Sequence, residues 1–420
     1  MNPSRFTRPA GRAALLALGT SLVASASACS SDDTTAIVDA GAPQDGEGSL
    51  HDAQPGADTS TTSPHDGAVG DSTTAVADAG TADASLADGS IDGSTGACPD
   101  AGVPNDLACT GLYSDWASKT VAANVLAYTP GLVFWSDGAQ KQRWIYLPPG
   151  TQIDTTDMDD WVFPVGTKIW KSFTLNDVLV ETRLIWKQPD MTWDYAVYRW
   201  STDGTSAMQI TSGEKNVNGT TYEIPATSAC AQCHGGRADV VLGFDLLGIG
   251  VPAAEGVTLA SLADAGRFTT PPPATTVVIP EDSTQKAATA LGWLHVNCGV
   301  SCHNGEPNAV AFETHLYTKL LASQLYPNGA ADAGLGKVTD LDPYTSEVGV
   351  AASLMPGGMQ YLRIAPGDAV HSLTVLTSIT RGDDGGIPQM PTLVSHIPDD
   401  AGVTELEAWI NALPRDAGAK

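Results

Sequence analysis

Two short clusters of cysteine and histidine constrain this chain more than any other feature. One is Cys230-Ala231-Gln232-Cys233-His234, the other Cys298-Gly299-Val300-Ser301-Cys302-His303. The first is the attachment signature of a c-type haem, in which two thiols form thioethers with vinyl groups and the adjacent histidine reaches the iron. Thioethers keep the group from dissociating, and the cysteine pair sets the backbone so that the histidine points along the haem normal. The second cluster has three residues between its cysteines where the usual spacing has two. The competing uses of such residues are a redox dithiol or a zinc site. Zinc would need a second ligand pair, which the other cluster supplies only if the two segments lie side by side in the fold.

The chain begins with a targeting segment. Arg5, Arg8 and Arg12 form a basic region, and residues 13–24 are an apolar stretch too short to span a bilayer permanently. Ala26-Ser27-Ala28 then precedes Cys29, the arrangement of a bacterial lipoprotein signal, although position 26 is Ala where Leu is usual. The sequence therefore predicts a signal peptide at residues 1–28, lipidation at Cys29 and an envelope protein anchored to a membrane. Ser30 after the cysteine suggests the outer membrane where the host has two. Of seven cysteines, one goes to lipid and four to haem, which leaves Cys98 and Cys109 to pair in an export compartment where a disulfide persists.

The formal charge is −27, and removal of the three signal arginines takes it to −30. Residues 30–96 hold 13 Asp and Glu and no Lys or Arg, which leaves −17 in the folded body. A surface of that sign excludes nucleic acid, whose phosphates demand basic side chains, and could steer a basic redox partner protein. Residues 29–97 are low in aromatics and large aliphatics. Such a tract cannot bury enough apolar surface to offset the entropy of ordering, so it reads as a disordered acidic tether.

From 98 to 229 the pattern is β. Eight of the ten tryptophans fall here, among runs rich in β-branched and aromatic residues such as Lys168-Ile169-Trp170-Lys171-Ser172-Phe173. Asp203-Gly204 and Asn218-Gly219 are hairpin signals. The expectation is an antiparallel sandwich or barrel-like domain, with the tryptophans packed in its core. Residues 230–280 carry the first cluster and a linker. From 281 to 420 helical spacing takes over. Asp282 or Ser283 can cap a helix from about Gln285 to Val296 that leads into Cys298, and Asp400 can cap one bearing Val403, Leu406, Trp409, Ile410 and Leu413. Gly292 would let Trp409 approach where the two cross. The fold class is thus α+β, a β domain followed by a mostly helical cytochrome c-like domain.

Such a domain takes a methionine as its other axial ligand, on a proline-stiffened loop before the last helix. Met390, in Ile387-Pro388-Gln389-Met390-Pro391 and 87 residues after His303, is placed for this. Met355, Met359, His371 and His396 are rivals. For the first haem the candidates are Met191, Met208 and His295, the last read mainly as a partly exposed helix residue.

The chain resembles a family of exported bacterial dihaem c-type cytochromes, many of them lipoproteins. The likeness rests on Phe134-Trp135-Ser136-Asp137-Gly138-Ala139, Arg143-Trp144-Ile145-Tyr146-Leu147-Pro148-Pro149-Gly150 and Trp161-Val162-Phe163-Pro164-Val165-Gly166-Thr167. It extends through the first cluster, Gly292-Trp293-Leu294-His295-Val296-Asn297-Cys298, Ala365-Pro366-Gly367-Asp368 and Gln389-Met390-Pro391, and covers residues 110–415. It implies two c-type haems and electron transfer in the cell envelope; the sequence itself offers no catalytic residue. The chain carries no phosphate loop, serine elbow or zinc-protease helix. Two other functions stay open: a haem-dependent peroxidase or oxidoreductase acting at an open first iron, and an envelope module that captures a ligand on its tryptophan-rich sheet.

Overall fold

Strand alternation governs the first half of the computed structural model, which describes residues 98–99 and 102–418, all within the unit Ser85–Lys420. The signal segment, Cys29 and the acidic tether lie outside the described residues. A small ribbon pairs β1 (Tyr113–Asp115) with β2 (Thr120–Val121). A seven-stranded antiparallel sheet follows, built from β3 (Leu126–Thr129), β4 (Gln140–Tyr146), β5 (Lys168–Leu175), β6 (Val178–Lys187), β7 (Trp193–Trp200), β8 (Ala207–Ile210) and β9 (Glu255–Gly256). Its order is β8-β7-β6-β5-β4-β3-β9. Asn176 and Asp177, at φ 49° and 62°, make the two-residue turn between β5 and β6, the backbone that lets a hairpin keep its right-handed twist.

The expected sandwich or barrel is instead one open sheet, with β8 and β9 as its edges. Turn chemistry fixes which strands are neighbours; what covers each face is supplied from elsewhere in the chain. On one face Trp144, Trp170, Leu184 and Ala196 pack with Leu107, Leu112, Tyr113 and Val125. Trp116 stacks on Trp200 there at 5.2 Å, and the Cys98–Cys109 disulfide, with Cα atoms 5.4 Å apart, ties the start of this covering segment. The tryptophans are largely core, Trp161, Trp170 and Trp200 being fully buried. Asp203-Gly204 turns β7 into β8 as expected. Asn218-Gly219 joins no sheet strands; it closes a loop held by pairing of Glu214 with Ile224.

The other face carries Ile145, Ile169 and Ile185, and packs against the region that follows. That region holds short helices: α1 (Cys230–His234), α2 (Leu259–Asp264), α3 (Ala287–Leu294), α4 (Ala322–Leu325), α5 (Asp342–Glu347), α6 (Leu373–Ile379) and α7 (Asp400–Ala412). The residue before α7, Asp399, caps it by accepting from the Gly402 N–H at 3.1 Å, one position earlier than the spacing suggested. Likewise α3 starts at Ala287, without a side-chain cap from Asp282 or Ser283.

Helices α3 and α7 pack on each other, but not through Gly292 and Trp409. Gly292 abuts Leu132 and Ile279, and the Trp409 indole donates to Asp282 Oδ2 at 2.9 Å. The close approach is at Gly402, where an added Cβ would lie 1.8 Å from Trp293 Nε1. That indole donates to Asp399 Oδ2 at 2.8 Å, so the tryptophan lies against the residue that caps the partner helix. Among the described residues no helix is long and apolar enough to cross a membrane.

Candidate haem-binding site

The first cluster is a single helical turn, α1, entered through the 3₁₀ turn Thr227–Ala229. His234 Nδ1 is hydrogen-bonded to the Val240 carbonyl at 2.5 Å. A histidine that ligates metal is usually held this way, one ring nitrogen on a carbonyl and the other, here Nε2, left to take the metal. The ring also meets Tyr195 of β7 edge-on at 5.9 Å. Three buried ion pairs hold the loop that supplies the Val240 carbonyl. Asp239 accepts from Lys187 Nζ at 2.7 and 2.9 Å, from the Trp193 indole at 2.7 Å and from the Phe163 N–H at 2.6 Å. Arg237 pairs with Asp160 at 3.4 Å and with Asp245 at 3.2 Å.

The second cluster explains its extra residue. From His295 to Gly299 the chain makes a π-helical turn, in which the Val300 N–H donates to the His295 carbonyl at 2.8 Å. The His303 N–H then reaches the Cys298 carbonyl at 2.9 Å, again five residues back. A π turn takes up one more residue than an α turn, so the three residues between the cysteines still return Cys302 and His303 to the neighbourhood of Cys298. Gly299 is obligatory here: a Cβ would lie 2.5 Å from the Lys319 nitrogen. His303 hydrogen-bonds to the Leu316 backbone, and its Nδ1 lies 3.4 Å from Thr314 Oγ1.

The two clusters are neighbours. A Cβ on Gly236, two residues past His234, would lie 3.1 Å from the Ser301 carbonyl and from Ala309 Cα. Adjacency makes the zinc alternative a real test. Among the described residues no three His, Cys, Asp or Glu side chains converge as a metal-ion site. The dithiol alternative fares no better, since a reactive cysteine needs its thiol pushed down. Burial pushes all four thiols up, Cys302 to about 11 with the charge of Cys233 adding to it. Burial also holds His234 and His303 down at about 4, helped at His234 by Lys171, Arg183 and Arg237 and at His303 by Arg363. Both rings are neutral at ordinary pH, the form that binds iron. Four thiols and two imidazoles in neighbouring turns, His234 anchored on a carbonyl, are a donor set that fits two c-type haems.

Met390 is half-buried, its N–H donating to the Thr377 carbonyl of α6 at 2.9 Å. Met355, Met359, Met191 and Met208 are exposed. His371 pairs with Asp368, and His396 with Glu223. His295 is buried, at 2 % exposure, not partly exposed. Its Nδ1 accepts from the Leu320 N–H at 2.9 Å, which places its proton on Nε2, and Nε2 has no partner. Held in that tautomer it is a donor rather than a ligand. It lines a small pocket with Asp159, Arg237, Asp245 and Lys319.

Sequence reasoning missed the residues that fix the clusters: Arg237, Asp239 and Lys187. The signal was charge inside otherwise apolar strand and loop segments. The segment Phe134-Trp135-Ser136-Asp137 is also a clamp. Asn297, the residue before Cys298, accepts from the Trp135 N–H at 2.8 Å and donates to the Val133 carbonyl at 3.1 Å, while Asp137 accepts from the His396 and Ile397 N–H groups. Compared with known proteins, the chain matches no family model, no curated protein and no solved structure.

Proposed function

We propose that this protein is a dihaem c-type cytochrome that relays electrons in the bacterial cell envelope, anchored through a lipidated Cys29. The observation that carries this reading is the adjacency of two cysteine–histidine turns, each histidine hydrogen-bonded to neighbouring backbone. Cys230 and Cys233 would hold one haem and Cys298 and Cys302 the other. Each of the four thiols would hold its haem through a thioether. Bound there, the haems supply one-electron redox chemistry. His234 and His303 would bind the two irons, and Met390 would be the further ligand of the iron held at Cys298 and Cys302. Residues 281–420 form a cytochrome c-like module, whose entry helix α3 is crossed by the terminal helix α7. Neighbouring attachment turns suit transfer between two irons. The acidic body suits a basic partner protein.

The test is mass spectrometry of chain exported with a haem-maturation system, followed by reduced-minus-oxidised spectra with and without carbon monoxide. Two covalent haems and no change with carbon monoxide are expected. Carbon monoxide binding at one haem would favour an enzyme acting at an open iron. An exported preparation with no Soret band would overturn the reading.

A further inference from the structure

The sheet face beside the first cluster carries a row of like charges. Arg143 of β4 stands opposite Lys171 of β5, and Lys171 opposite Arg183 of β6. Three cations thus occupy one rung, and Lys141, two residues before Arg143, continues the group on the same face. Directly opposed like charges destabilise a sheet. Here they are also partly withdrawn from water, Arg143 at 8 % exposure. Burial pushes Lys141 down to about 7, with Arg143 and Arg183 adding to the effect.

The carboxylates nearby do not balance this charge. Glu181 is taken by Arg183, at 2.8 and 2.6 Å, and by the Tyr222 hydroxyl at 2.6 Å. Asp137 and Asp399 act on Lys141 from farther off, and both are engaged by backbone N–H groups. Among the described residues Lys141, Arg143 and Lys171 form no ion pair; Lys141 Nζ donates to the Phe134 carbonyl at 2.5 Å, and aromatic rings lie beside the other two. Lys171 Nζ lies 5.2 Å from the Phe173 ring centre and 5.7 Å from that of Phe134, and Arg143 Cζ 5.8 Å from the latter. Rings soften buried positive charge but do not neutralise it.

The position of the rung says which anion belongs there. The next rung on this face is Ile145, Ile169, Ile185 and Tyr195, and Tyr195 is the residue that meets the His234 ring. The charges of Arg183 and Lys171 act on the Cys233 thiol. The cations therefore lie between two apolar clusters, beside the attachment turn.

We infer that Arg143, Lys171 and Arg183, with Lys141, form an anion site that holds the propionate carboxylates of the haem carried by Cys230, Cys233 and His234. This deepens the proposed function and rests on it. The cations would balance the two carboxylates, and removing that negative charge from beside the iron would favour its reduced form.

The experiment uses the matured full-length protein and compares wild type with Lys171→Gln, Arg143→Gln and Lys171→Arg. The readouts are the propionate bending bands in resonance Raman spectra and the midpoint potentials of the two haems. In both Gln variants the first haem's bands should shift and its potential fall relative to the second haem's. Lys171→Arg should stay close to wild type. Bands and potentials unmoved in every loaded variant overturn the assignment. A free oxyanion is the other source of the same chemistry. If nitrite or sulfate, added at constant ionic strength, shifts the wild-type first haem but not Lys171→Gln, the site belongs to a free anion and the propionate assignment falls. A wild-type protein with no haem at Cys230 and Cys233 overturns the dihaem reading and this assignment together, whereas a loaded but insensitive protein overturns this assignment alone.

Discussion

Asp239 carries the geometry of the first attachment turn. It neutralises Lys187 where the two side chains are 5 % and 2 % exposed, and its neighbour Val240 supplies the carbonyl that orients His234. Removing one partner of a buried pair strands the other charge, at a cost of about 3–5 kcal/mol. Asp239→Ala should therefore lower the melting temperature sharply and disturb the first haem's spectrum before the second's. Glu347 acts beside the second turn. It is fully buried, one oxygen accepts from Thr374 Oγ1 at 2.7 Å, and the other has no partner. Burial raises its carboxyl from 4.5 to about 7. The folded state then binds a proton that the unfolded chain releases, so this contribution to stability is present below 4.5 and lost as pH rises towards about 7. Subtracting the Glu347→Gln stability profile from that of wild type should leave a fall across this window, measured by chemical denaturation at stepped pH.

At the scale of elements, the second attachment turn depends on a π turn seated against the 318–319 backbone. Gly299→Ala places a methyl group 2.5 Å from the Lys319 nitrogen. Overpacking of this kind costs about 1–3 kcal/mol, and it falls where the cysteines are spaced. The expected product is a chain with one covalent haem, at Cys230 and Cys233, read from the intact mass. The sequence carried part of this. Ala287, Leu291 and Leu294 announced a helix running into Cys298, and the apolar spacing from Val403 to Leu413 announced the terminal helix. The π turn was visible only as one surplus residue between cysteines, because its cause is the Thr318–Lys319 backbone, some 20 positions downstream. The crossing was misplaced for the same reason. Gly292 and Gly402 look alike in sequence, and only the position of Trp293 decides which of them must lack a side chain.

At the scale of the molecule, the sheet and the helical region share one core. Tyr128, Ile145, Ile169 and Ile185 from the strands are buried in the same cluster as Leu291, Leu294, Leu406 and Trp409 from the helices. Strand β9, from the segment after the first cluster, completes the sheet edge by pairing Gly256 with Tyr128. Strand patterning in 98–229 announced a sheet, but alternation alone cannot say whether the inward face meets a second sheet or helices. That answer lies in the segments that follow, in loop side chains such as Val241 and Phe244 and in the helices α3 and α7, none of whose spacing names a partner. The consequence is cooperative. Residues 98–229 expressed alone would expose the isoleucine face and lose β9, and an apolar face without its cover favours aggregation. The fragment should be insoluble or unfolded. The full chain should melt in a single transition, by circular dichroism and by Soret absorbance alike. Two separated transitions, or a soluble folded 98–229 fragment, would mean that the strands close their own core.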